Sequence, residues 1–274
     1  MSTPQMDEAI DNCDRFYTVL KSIDAFNEME VRGVVHGVLS PTLEEECVIA
    51  IYDRAINNAK SLLEFKYVRH FQAIGMLARA LFELTAERKL MDAVPIAVPK
   101  MLAFRDVEKL KACEATVRFA STNHLTYLRD TEVHAEFISN NRQRVEGIAA
   151  SLWPNTRLKV LTHWSEMRLP ARVSSLNEPR LREIYHLFYR TLSWAVHPGL
   201  QGATGLKPET FANLCTQGFN LGARVYEMLI TDVVRIFQLS IHDPSINNKM
   251  TLARMLPFTD GHADEAALRR DLNL

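Results

Sequence analysis

Phe71-Gln72-Ala73-Ile74-Gly75-Met76-Leu77-Ala78-Arg79-Ala80-Leu81-Phe82-Glu83-Leu84 is the stretch whose reading decides the fold class. Phe71, Ile74, Leu77, Ala78, Leu81, Phe82 and Leu84 recur mostly at three- and four-residue spacing. That is the period of a helix with one broad apolar face, not the two-residue period of a strand. The helix predicted here covers residues 66–91 and ends ahead of Pro95 and Pro99. Arg79 and Glu83 lie four residues apart inside this apolar stretch. Opposite charges among apolar neighbours are costly unless paired or hydrogen-bonded, so they are expected as a partly buried pair facing the bundle interior. Such a pair would orient a second group, Arg190 or His197. The alternatives are an exposed i,i+4 pair and a structural ion pair without activity.

The same period extends outward in both directions. It predicts helices over residues 6–39, 41–64, 100–121, 131–152, 179–197 and 210–239. Gly33 and Gly37 weaken the end of the first. Ser40-Pro41-Thr42-Leu43-Glu44-Glu45-Glu46 reads as a helix start, with a cap, a proline in the first turn and acids at the positive dipole end. Trp153-Pro154-Asn155 stops the 131–152 helix. Residues 155–177 read as irregular, and the tail from His242 as a weak helix at best. No alternating strand, internal repeat or low-complexity segment interrupts the pattern. With only 10 Gly and 11 Pro in 274 residues, long regular elements are expected. The predicted fold is all-α, a single bundle of about six to eight helices. An N-terminal helical extension (1–65) packs on a helical core domain (66–242), followed by a C-terminal tail (243–274).

Hydrophobic residues make up 47% of the chain and charged residues 24%, with a net charge of −1, the profile of a soluble globular protein. There is no overall basic field, so any contact with nucleic acid needs a local patch. Arg180, Arg182 and Arg190, with Arg142 and Arg144, are the candidates. Cys13, Cys47, Cys113 and Cys215 are scattered without a C-x-x-C pair, and are expected as buried free thiols in a reducing cytosol. The N-terminal Met1-Ser2-Thr3-Pro4-Gln5-Met6-Asp7-Glu8 is polar, with no apolar signal core behind it. No uncharged apolar run approaches ~18 residues, so no membrane span is expected and the protein is placed in the cytoplasm. His124, His134, His242 and His262 have no ligand spacing, so neither a metal nor a cofactor is expected.

Chemistry concentrates in Tyr189-Arg190-Thr191-Leu192-Ser193-Trp194-Ala195-Val196-His197-Pro198. Arg190 and His197 are seven residues apart, almost two helical turns, with ~10 Å of rise between them on one face. Ser193 lies between them. An arginine, a hydroxyl and a histidine in line suit holding a phosphate and moving a proton. His197 precedes proline, so it belongs at a helix C-terminus, where the alternative is a capping role at the negative dipole end. Arg190 has an alternative too, as an ion-pair partner of Glu83 or Glu183. His163-Trp164 either lines a pocket or plugs the end of the core. Gly199, Gly202 and Gly205 form a loop after His197 that lacks the order of a phosphate-binding cradle.

Two resemblances rest on these residues. Arg79-Ala80-Leu81-Phe82-Glu83, the later Phe104-Arg105 helix, His163-Trp164 and Tyr189 through Pro198 resemble landmarks of a bacterial all-helical family of domains without an established activity. That family pairs an R-x-L-x-E helix with a Y-x-x-x-S-x-x-x-H-P helix about a hundred residues on, and the likeness covers residues 71–210. Arg190-Thr191 followed by His197 is similar, more loosely, to the signature of HEPN domains. These are helical, often dimeric modules, many of them metal-independent ribonucleases.

The HEPN resemblance implies an RNA-cleaving protein, of the stress or phage-defence kind, working as a homodimer without metal. In it Arg190, His197 and Ser193 would be catalytic, with Arg79, Glu83, Tyr189, His163 and Trp164 positioning or supporting. The competing expectations are a non-catalytic helical module, binding a protein or small ligand in the pocket between the Arg79 and Arg190 helices, and a purely structural subunit.

Overall fold

A computed structural model of the chain describes residues 4–65, 70–124, 130–196 and 207–255. Every regular element among the described residues is helical, as the apolar period requires, and none is a strand. No helix among them is long and apolar enough to cross a membrane. The chain divides into two compact units, one made of Met1–Lys89 with Leu176–Leu274, the other of Leu90–Ser175.

The first unit contains α1 (Pro4–Phe26), a π-helical turn (Asn27–Val31), α2 (Arg32–His36), α3 (Leu43–Glu64) and α4 (Phe71–Ala93) up to Lys89. It resumes with α8 (Pro179–Ile184), a second π-helical turn (Tyr185–Tyr189), α9 (Arg190–Val196), α10 (Pro208–Ile236), α11 (Leu239–His242) and α12 (Ile246–Met255). The most extensive pairing is α1 against α10. Leu20, Ile23 and Phe26 of α1 and Phe219, Val225 and Tyr226 of α10 are fully buried, each apolar side chain contributing about 1.5–3 kcal/mol by leaving water. Gly218 and Gly222 let α10 approach its neighbours closely. A Cβ at Gly218 would stand 2.5 Å from Ile74 Cγ2, and one at Gly222 would stand 2.7 Å from Leu62 Cδ2. The Thr85 hydroxyl, on α4, lies 2.9 Å from the Leu81 carbonyl of its own helix and 3.0 Å from the Val225 carbonyl of α10.

The second unit is built on α5 (Ala97–Thr122) paired with α6 (Asp130–Leu152), with the short α7 (Leu169–Ser175) after them. Trp153 and Trp164 are 1% and 2% exposed and form its core, and Trp153 Nε1 donates to the Trp164 carbonyl at 2.7 Å.

Several boundaries differ from those the period predicts, each for a local reason. The helix expected over 6–39 is broken by the π-helical turn at Asn27, where the Arg32 amide reaches back five residues to the Asn27 carbonyl. The next helix is capped by Thr42, not Ser40. Thr42 accepts from the Glu45 amide at 3.2 Å while Glu45 accepts from the Thr42 amide at 2.7 Å, a reciprocal cap that leaves Pro41 outside the helix. The long C-terminal helix ends at Ile236, because Gln238 turns left-handed at φ 53°. Residues 155–177, read as irregular, contain α7, and the tail contains the regular helix α12. Within residues 1–65, α1 makes the most extensive pairing of its unit, with α10.

Candidate functional site

The two sequence motifs meet in the first unit. Arg79 and Glu83 sit one turn apart on α4, both half-buried, and are joined through the hydroxyl of Tyr189. Arg79 Nη2 donates to the Tyr189 oxygen at 3.0 Å, and the Tyr189 hydroxyl donates to Glu83 Oε1 at 2.6 Å. The guanidinium carbon of Arg79 also lies 4.8 Å from the Tyr189 ring centroid, so charge meets the ring face as well as its oxygen. The Arg79 Nε atom is buried and has no hydrogen-bond partner among the described residues.

A π-helical turn delivers Tyr189 to this position. The Arg190 amide bonds the Tyr185 carbonyl five residues back, so one extra residue is accommodated before α9 begins. Tyr185 and Tyr189 stack at 5.3 Å, and both rings contact Phe82, at 5.9 and 4.9 Å. This aromatic packing buries Tyr189 to 7% exposure. Burial and then the hydrogen bond to Glu83 push its phenol up to about 12, against the pull of the Arg79 guanidinium. At neutral pH it is therefore a protonated hydroxyl, a donor and not a base.

Arg190 is the first residue of α9 and is exposed, and no hydrogen bond or ion pair joins it to another described residue. It pairs with neither Glu83 nor Glu183. Ser193, one turn on, is half-buried. His197 and the glycine loop with Gly199, Gly202 and Gly205 lie outside the described residues. The structure thus brings Arg79, Glu83 and Tyr189 together and sets Arg190 beside Tyr189 along the chain, facing solvent.

His163 and Trp164 belong to the second unit. His163 Nε2 is 2.7 Å from Nη1 of the buried Arg172, and Nδ1 is 2.7 Å from Ser165 Oγ. A guanidinium only donates, so Nε2 accepts from Arg172, while Nδ1 faces both the Ser165 hydroxyl and the Ser165 amide, the latter 3.1 Å away. Trp164 is core. Among the arginines expected to hold RNA, Arg142 pairs with Glu114 at 2.8 Å and Arg144 with Asp106 at 3.0 Å in the second unit. Arg180 pairs with Glu227 at 3.2 Å in the first, where Arg182 and Arg190 are exposed.

All four cysteines are buried free thiols. Among the described residues no three of His, Cys, Asp and Glu group as metal ligands. His124 is exposed, and His134 Nδ1 lies 3.4 Å from Cys113 Sγ. A second polar network, absent from the sequence reading, surrounds the first π-helical turn. Tyr52 donates to buried Asn27 at 2.5 Å and Tyr226 to Asp24 at 3.0 Å. Burial pushes the Asp24 carboxyl up, against the Tyr226 hydrogen bond. Its sequence signal is faint, since the partners come from three separate helices. Comparison with family models, with curated proteins and with solved structures gives no match.

Proposed function

We propose that this chain is an RNA-cleaving protein of HEPN-like kind that works without metal, in the cytoplasm, as a symmetric dimer. What supports this is the placement of Arg190: exposed, unpaired among the described residues, and directly after a tyrosine held by Arg79 and Glu83. A guanidinium with free donors on a braced helix start is suited to a phosphate, whose developing charge it meets with a fixed fork. His197, seven residues on in the sequence, serves as base toward a ribose 2′-hydroxyl or as acid toward the leaving oxygen. The 2′-oxygen loses its proton and bonds to phosphorus, the bond from phosphorus to the 5′-oxygen breaks, and that oxygen takes a proton. The products are a 2′,3′-cyclic phosphate and a 5′-hydroxyl. Ser193 orients the substrate, and the Arg79–Tyr189–Glu83 cluster positions the helix that carries Arg190. Arg182 adds positive charge to the same unit.

A second reading, a non-catalytic module that binds a protein or small ligand, is favoured by one observation. The Tyr189 hydroxyl is engaged on both sides, by Arg79 and by Glu83, as a structural brace requires and an open catalytic group does not. Purified protein incubated with mixed cellular RNA and with single-stranded DNA separates the two. Under the proposal RNA is cut, DNA is spared, chelators change nothing, and folded Arg190→Ala and His197→Ala proteins lose the activity. RNA left intact by the wild type gives the binding reading its place.

A further inference from the structure

Arg180 in the first turn of α8, Arg224 on α10 and Arg254 on α12 converge on one cavity of the first unit, about 290 Å³ in volume. A single carboxylate answers them. Glu227, 10% exposed at its side chain, accepts from Arg180 Nη2 at 3.2 Å through one oxygen and from Arg254 Nη1 at 3.1 Å through the other. Arg224 pairs with no carboxylate among the described residues. Its Nε donates to the neutral Asn220 at 2.8 Å, and its guanidinium carbon lies 5.6 Å from the Phe188 ring centroid. Three fixed positive charges therefore face one negative charge.

The cavity is not polar throughout. Phe16 of α1, half-buried, lines it as an apolar wall together with the edge of Val19, while Ile23 behind them is closed off from solvent. An arginine that serves only to neutralise Glu227 is needed once. Here two do so and a third stands beside them half-buried, which leaves a surplus of positive charge against an apolar wall. Guanidinium groups carry five donors each, and most of those on these three are unused among the described residues. Cavities of this size, apolar with a few convergent polar groups, are the usual form of a small-molecule site.

We propose that this cavity binds a small amphiphilic anion, a carboxylate or phosphate-monoester head held by Arg224 with Arg180 and Arg254, its alkyl tail lying on the Phe16–Val19 wall. The site is independent of Arg190 and of RNA cleavage. The sequence carried a partial signal, since Asn220, Arg224 and Glu227 fall at i, i+4 and i+7 on one helix face.

Titration calorimetry on the full chain tests it, using octanoate and octyl phosphate as probes below their micelle-forming concentrations. Inorganic phosphate supplies the head alone, octanol the tail alone, and octylammonium the opposite charge. At least one octyl anion should bind at one site per chain, at least tenfold tighter than all three controls. The preference between octanoate and octyl phosphate identifies the head. Arg224→Gln, and separately the more exposed Arg254→Gln, should weaken that binding at least tenfold, with helical content unchanged by circular dichroism. The proposal is overturned if neither octyl anion binds, if any control binds as tightly, or if a folded arginine variant keeps wild-type affinity.

Discussion

Tyr189 donates a 2.6 Å hydrogen bond to Glu83, a residue 106 positions earlier in the chain, while accepting one of 3.0 Å from Arg79. One hydroxyl thus joins the two motifs that the sequence holds far apart. It sits at the last residue of a π-helical turn, immediately before the helix that begins with Arg190.

Removing that hydroxyl tests its energetic weight. Tyr189→Phe keeps the ring against Phe82 and Tyr185 but leaves a carboxylate and a guanidinium without their shared partner. Hydrogen bonds to charged groups are worth about 1.5–3 kcal/mol, and both charged groups here are half-buried, so a loss of about 2 kcal/mol is expected in urea unfolding. A loss below ~0.5 kcal/mol would mean that water replaces the hydroxyl at no cost.

The same group gives the fold an alkaline limit. The Tyr189 phenol titrates near 10 in the unfolded chain and at about 12 in the folded one. The folded state holds the proton more tightly, so the contribution is complete below pH ~10 and is lost as pH rises through about 12. Burial raises Tyr52 and Tyr226 in the same direction, so the comparison is with Tyr189→Phe. The variant should lose less stability than the wild type between pH 10 and 12. Parallel curves would remove the cause given for the shift.

Much of this was legible in the sequence, because helix class follows from apolar spacing alone. The placement of Arg79 and Glu83 within an apolar stretch also pointed to a polar group inside the bundle. What the spacing could not give was the π-helical turn at Tyr185–Tyr189, which adds a residue and rotates everything after it relative to a regular projection from Glu183. Spacing alone put Arg190, Ser193 and His197 on one face and did not single out Tyr189, which is the buried member of the motif while Arg190 is exposed. The grouping of residues 1–89 with 176–274 was hidden for another reason, since pairing of α1 with α10 is a contact between distant segments that no local period encodes.

Close helix packing along α10 should show as a difference between two glycines. Alanine at Gly218 meets Ile74 Cγ2 at 2.5 Å, a β-branched methyl that cannot swing away, and overpacking of that kind costs about 1–3 kcal/mol. Alanine at Gly222 meets Leu62 Cδ2 at 2.7 Å, the tip of a flexible side chain. There the gain of about 1 kcal/mol in helix propensity offsets most of the strain. Thermal unfolding should place Gly218→Ala clearly below Gly222→Ala, and the reverse order would contradict the packing described.

The start of α3 makes a separable prediction. Thr42→Ala removes the acceptor for the Glu45 amide and should cost about 1 kcal/mol, while Ser40→Ala should be near neutral because Ser40 lies outside the cap. Equal losses at both positions would return the cap to Ser40.

The proposed chemistry is tested most directly by one substrate pair. A short RNA that the purified protein cuts is compared with the same RNA carrying a 2′-O-methyl group at the cleaved position, with the ends of the products identified. Cleavage through the 2′-oxygen predicts a 2′,3′-cyclic phosphate from the first substrate, no cut at the blocked position in the second, and loss of cutting in folded Arg190→Ala. Cutting at the blocked position, activity retained in Arg190→Ala, or no RNA cut by the wild type would contradict it.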